Sequence, residues 1–205
     1  MDRSDKVKMS DISRSIDEVI KLGVTPLLNA FEFNKSGRTF HRSFSEIWQV
    51  VNVQASQGNI GANGKFTINL GIYHPGIAAL AGRSLGAEKP KEYECIVRKR
   101  IGDLLPNKTD YWWEITPSTK AEELAKEVGA AVEKLGLPWL EKCSDIRKIA
   151  YILSEKPSIL SAAAALFLGD KQEARRRVLR MMAERPMTTD AARSWAEKYG
   201  LEDVN

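Results

Sequence analysis

The sequence predicts an α+β fold: an antiparallel sheet of about five strands, preceded by an N-terminal helix and followed by C-terminal helices that form a small bundle. Three observations predict it. Apolar residues recur at helical spacing over residues 10–30, segments rich in β-branched and aromatic residues fill 40–115, and helical spacing returns after Pro117.

The first helix is carried by Ile12, Ile16, Val19, Ile20, Leu27 and Leu28, and Pro26 is expected to kink or break it because proline lacks the N–H donor. Strands are expected at residues 40–44, 47–55, 65–73, 93–101 and 111–115. The third alternates most cleanly. Phe66, Ile68, Leu70 and Ile72 point one way and Lys65, Thr67, Asn69 and Tyr73 the other, which predicts one buried face and one wet face. The turn-forming string SQGNIGANG before it predicts an antiparallel hairpin with a long tip. Residues 74–92 read as a long connection with a helical turn at 77–81, a kind of loop that often carries function. After Pro117, Thr119 and Glu122 have capping-box spacing ahead of Leu124, Val128 and Val132. Further helices are expected at 145–154, 158–168, 171–184 and 189–199, with Gly169, Asp170 and Glu173 marking a stop and a start. These elements divide the chain into an α+β sheet domain, 1–143, and a C-terminal helical subdomain packed on it, 144–205.

Composition narrows the class. A chain of 205 residues with 43% hydrophobic and 28% charged residues is globular and long enough to bury a core. Its longest apolar run, 159–168 with Ser161 inside it, is too short to span a bilayer. The opening MDRSDKVKMSD has no apolar stretch, so a short disordered lead and a cytoplasmic location are expected rather than a signal peptide. Cys95, placed in a strand, and Cys143, at a helix end, are then expected to be buried or half-buried thiols rather than a disulfide. His41 and His74 lack the companions of a metal site, and no cofactor is predicted. The excess of 31 basic over 27 acidic residues is too small to favour any partner by itself.

GRTFHR at 37–42, VVNVQ at 50–54, FTINLGIY at 66–73, RKRIG at 98–102 and the tryptophans Trp112 and Trp113 form an ordered set. Together they resemble a bacterial family catalogued as a domain of unknown function, number 4304, over roughly residues 12–140. The resemblance implies no catalytic residue, and the helices after Asp145 lie beyond it.

Strand parity suggests a polar face of Asn52, Gln54, Thr67 and Asn69, continued by His41, Arg98, Arg100 and Trp112. Amides, guanidinium groups and an aromatic plane are the chemistry that holds an anionic or amide-bearing ligand. The plainer reading is an outward polar surface of a half-solvated sheet. Arg98, Lys99 and Arg100 beside tryptophans invite a nucleic-acid reading, weakened because successive strand residues point to opposite faces. Arg175, Arg176, Arg177 and Arg180 read as the solvated side of a helix with a core stripe of Ala174, Val178, Met181 and Met182. Trp113, in parity with Tyr111 and Ile115, reads as core. Ser43, His41 and Glu46 are close in sequence, but a triad is defined by geometry. GANGK lacks the length and hydroxyl of a phosphate loop. The residues therefore lean away from an enzyme and towards a non-enzymatic binding or protein-interaction module using the sheet's polar face. A nucleic-acid binder is the second reading and an unrecognised hydrolase the third. The partner is a protein or an anionic ligand, no membrane is involved, and a homodimer is left open.

Overall fold

A computed structural model describes residues 11–60, 63–83 and 89–201. Outside these lie most of the charged lead, residues 61–62 of the hairpin tip and residues 84–88 of the long connection.

The sheet is antiparallel. Its strands are β1 (Asn34–Ser36), β2 (Thr39–Phe44), β3 (Ile47–Ala55), β4 (Gly64–Tyr73), β5 (Val97–Arg100) and β6 (Trp113–Ile115). They follow the order β1-β2-β3-β4-β5, with β6 also on β4, where Phe66 lies opposite Trp113. The chain divides into two compact units.

The first unit takes in Met1–Arg42, Val50–Leu70 and Lys99–Pro138. Helix α1 (Asp11–Val19) runs through a π-helical turn, Ile20–Val24, into α2 (Thr25–Ala30). The expected break at Pro26 is replaced by this widened turn. Thr25 N–H reaches back to the Ile20 carbonyl, so the helix passes Pro26, which sits in the first turn of α2 where no donor is needed. Ile12, Ile16, Val19, Ile20, Val24 and Leu28 are buried in this unit's core, as are Leu124 and Val128 of α4 (Ala121–Ala131). The π turn and α4 meet closely: a Cβ on Gly23 would stand 2.2 Å from the Ala125 carbonyl oxygen. The expected capping box at α4 is not formed, because the Thr119 hydroxyl accepts from the Thr116 N–H at 2.9 Å and Lys120 is the cap residue.

Strand β4 departs from the expectation of one wet face. Every residue from Phe66 to Tyr73 is buried, so both faces are covered. Thr67 tolerates burial because its hydroxyl donates to the Tyr111 carbonyl at 2.9 Å. The last strand is also shorter than expected, as only Trp113–Ile115 pairs; Trp113 is buried, stacked on Phe66 at 5.7 Å.

The second unit takes in Ser43–Gln49, Gly71–Arg98 and Trp139–Asn205. The expected turn in the long connection is helix α3 (Pro75–Leu80). The segment expected as a strand from Tyr93 begins with a 3-10 turn, Glu92–Glu94, and the strand starts at Val97. Cys95 therefore lies outside the strand; it is buried, and burial with the nearby Glu92 carboxylate pushes its thiol up. Neither Cys95 nor Cys143 is in a disulfide.

Helices α6 (Ile146–Ser154), α7 (Ile159–Phe167), α8 (Lys171–Glu184) and α9 (Thr189–Lys198) match the sequence expectation closely, with α5 (Leu137–Lys142) before them. Gly169 at φ 82° ends α7, and the Asp170 carboxylate caps α8 through the Glu173 N–H at 2.8 Å. Along this unit α6 packs on α7, α7 on α8 and α8 on α9, and α3 also packs on α7. Arg177 does not belong to a solvated face. Its side chain is 14% exposed, pairs with Glu173 at 2.7 Å and donates to the Ala150 and Ser161 carbonyls at 3.1 and 2.9 Å. Among the described residues no helix is long and apolar enough to cross a membrane.

Candidate functional site

Within the first unit, β3, β4, the end of β5 and the loop before β6 bring a chain of polar side chains together. Asn69 Nδ2 donates to Gln54 Oε1 at 2.6 Å, and Arg100 Nε donates to Asn69 Oδ1 at 3.2 Å. Arg100 Nη1 continues to Asp110 Oδ1 at 2.5 Å, and the other Asp110 oxygen accepts from Trp112 Nε1 at 2.9 Å. The loop closes on itself, because the guanidinium also lies 5.1 Å from the Trp112 ring centre. Lys65 approaches the same ring, with Nζ at 5.3 Å.

Each contact has a local cause. Gln54 and Asn69 occupy strand positions whose parity turns them away from Leu70 and Ile72, so their amides meet across the pair. The backbone N–H of Arg100 faces Asp103 Oδ2 at 3.3 Å, where the chain leaves β5 for a 3-10 turn, Ile101–Leu104. The Trp112 and Arg100 hydrogen bonds hold the Asp110 carboxyl below the usual carboxylate range, with the Arg100 and Lys65 charges acting in the same direction.

Four of the residues singled out from the sequence, Gln54, Asn69, Arg100 and Trp112, thus form one connected network. Four do other work. Asn52 Nδ2 donates to the Thr39 hydroxyl at 2.8 Å, Thr67 holds the Tyr111 carbonyl, and His41 is buried in β2. Arg98 belongs to the second unit, where its guanidinium grips both oxygens of Glu92 at 2.8 and 3.0 Å. Asp110 escaped the sequence reading, and Lys65 was placed beside Thr67 and Asn69 without being assigned to the site. The signal for Asp110 was its place beside an indole donor in a loop rich in polar residues, whereas Lys65 had only the parity it shares with Thr67.

The first unit also holds a groove of about 400 Å³ beside the π turn and α4, lined by Leu22, Gly23, Leu27 and Ala125 with Glu122 and Lys126 among its charged residues. The lining contains no Ser, Cys or His. Glu46, close in sequence to Ser43 and His41, is 3.8 Å from His74 Nε2 in the second unit. Among the described residues no group of three His, Cys, Asp or Glu side chains is placed to hold a metal.

A family model described as a domain of unknown function (DUF4304) matches residues 24–142, more than half of the chain, and the chain belongs to that family. No curated protein and no solved structure matches it.

Proposed function

We propose that the protein is a non-enzymatic binding module in which Gln54, Asn69, Arg100 and Trp112 form the face that takes a carboxylate-bearing segment of a protein partner. The observation that carries this reading is the state of Arg100. Asn69 holds its Nε, Asp110 holds its Nη1 and Trp112 lies beneath it, while Nη2 has no hydrogen bond within the described residues. A guanidinium fixed in this way offers a directed donor with little rotamer entropy left to lose. Lys65 adds a second cation over the same ring.

Charge selects the class of ligand. Asp110 pairs with Arg100, Asp103 sits on the Arg100 backbone N–H and Glu114 lies opposite Lys65 in the sheet, so three acidic residues accompany the two cations and no concentrated positive field forms. That suits one carboxylate met by directional hydrogen bonds and disfavours a phosphate chain, whose binding rests on a concentrated positive field. Four other arginines of the basic runs are engaged internally as well: Arg98 by Glu92, Arg176 and Arg177 by Glu173, and Arg180 by Glu184.

The test is a titration of the full chain with a hexaglutamate peptide, following the Trp112 indole N–H resonance, with hexaglutamine as the uncharged control. Hexaglutamate is expected to shift the resonance, hexaglutamine to leave it unchanged, and Arg100→Gln to weaken the response at least tenfold. An unmoved Trp112 resonance overturns the reading. Tighter binding of a single-stranded oligonucleotide, with a steep salt dependence, would replace it with nucleic-acid binding.

A further inference from the structure

In the second unit, His74 stands between the end of β4 and the start of α3. It is 3% exposed, and its Nδ1 accepts the Ile77 N–H at 3.4 Å as the cap of α3. The ring meets the edge of Phe167, at the end of α7, with centroids 4.7 Å apart. Phe167 also lies directly over Gly76, where a Cβ would stand 2.3 Å from a ring carbon. One imidazole thus links the N-terminus of α3 to α7.

We propose that His74 is a pH-sensitive latch: in its neutral form it caps α3 and holds α3 against Phe167 of α7, and protonation at Nδ1 releases both contacts. Nδ1 accepts a hydrogen bond only while it lacks a proton. A proton taken up there from solvent places one N–H against another, that of Ile77, and puts a charge on a buried ring. Little compensates for that charge. Helix α3, PGIAAL, and helix α7, ILSAAAALF, carry no titratable side chain. The charged group that faces the ring is Glu46, whose Oε2 is 3.8 Å from Nε2 and whose side chain is 69% exposed, so water screens the attraction.

The balance already favours the neutral ring. Desolvation by burial lowers the His74 pKa from its ordinary 6.5, and Glu46 and a hydrogen bond to the residue's own backbone oppose this less strongly. The unfolded histidine therefore takes up a proton before the folded one. The stabilisation is complete above pH 6.5, is lost as pH falls from there towards the folded pKa, and levels off below that value.

The full chain has two histidines, so a histidine-ring NMR titration between pH 8 and 5 is readily assigned, with the signals missing from His74→Asn identifying the latch. Native-state hydrogen exchange at Ile77, Ala78 and Ala81, corrected for intrinsic rate, reads the opening of α3. The His74 midpoint is expected below 6.5, with α3 opening increasing by up to about tenfold per pH unit on the acid side. His74→Asn keeps a capping acceptor and should remove that dependence. A midpoint at or above 6.5, or the same pH dependence in His74→Asn, overturns the proposal. Should His74→Asn fail to fold, the unsubstituted chain decides: α3 exchange that stays constant between pH 8 and 5, once corrected for intrinsic rate, refutes the latch.

Discussion

Arg100 and Asn69 hold each other in place: the arginine Nε donates at 3.2 Å to the Oδ1 of an amide that is only 6% exposed, and that amide donates onward to Gln54. A half-exposed cation therefore completes the hydrogen bonding of a buried amide. The stability of this site and the binding proposed for it therefore run through one side chain.

Arg100→Lys keeps the charge but lacks the planar fork, so it cannot serve Asn69 and Asp110 together. Equilibrium denaturation should show a loss of about 1–2 kcal/mol, the cost of leaving a largely buried acceptor short of a donor. Hexaglutamate affinity should fall in the same variant although its net charge is unchanged. Full retention of both properties would show that charge alone matters.

Leu70 is fully buried in a strand covered on both faces. Leu70→Ala should cost about 2–5 kcal/mol through lost burial and a residual cavity, read as a lower urea midpoint. An unchanged midpoint would remove β4 from the core.

Arg177 provides another sharp expectation. Arg177→Met leaves Glu173 with the exposed Arg176 alone and removes the side-chain donor from the Ala150 and Ser161 carbonyls. A loss of about 3 kcal/mol is expected by thermal or chemical unfolding, of the size seen when one partner of a buried ion pair is removed. Arg176→Met, at an exposed position on the same helix, should change stability by less than about 1 kcal/mol.

Truncation before Asp145 tests the proposed C-terminal helical subdomain. It removes α7, which packs on α3, and Trp195 of α9, whose Nε1 donates to the Leu80 carbonyl at 2.7 Å. The shortened chain should be less soluble and show a lower unfolding midpoint, because the apolar side of α3 loses its cover. Equal solubility and an equal midpoint would show that residues 145–205 contribute nothing to that packing.

Local periodicity was enough to read the α+β class and the core side of β4, while Gly169, Asp170 and Glu173 marked the start of α8 and the ordered motifs between residues 37 and 113 carried the family resemblance. A spacing of two or of three to four residues is set by the geometry of one element alone. The same periodicity placed Gln54 and Asn69 on one polar face, but parity assigns a direction and says nothing of what lies there. The cover over Thr67 comes from the Tyr111 carbonyl, 44 residues further along the chain, so the wet face predicted for β4 is buried. Asp110 reaches Arg100 from a loop beyond the end of β5, and Glu46 reaches His74 and Arg177 turns inward towards α6 and α7 through segments remote in sequence. Those contacts depend on packing between elements rather than on spacing within one, which is why only the tertiary structure decided which polar residues form a network and which stabilise the fold.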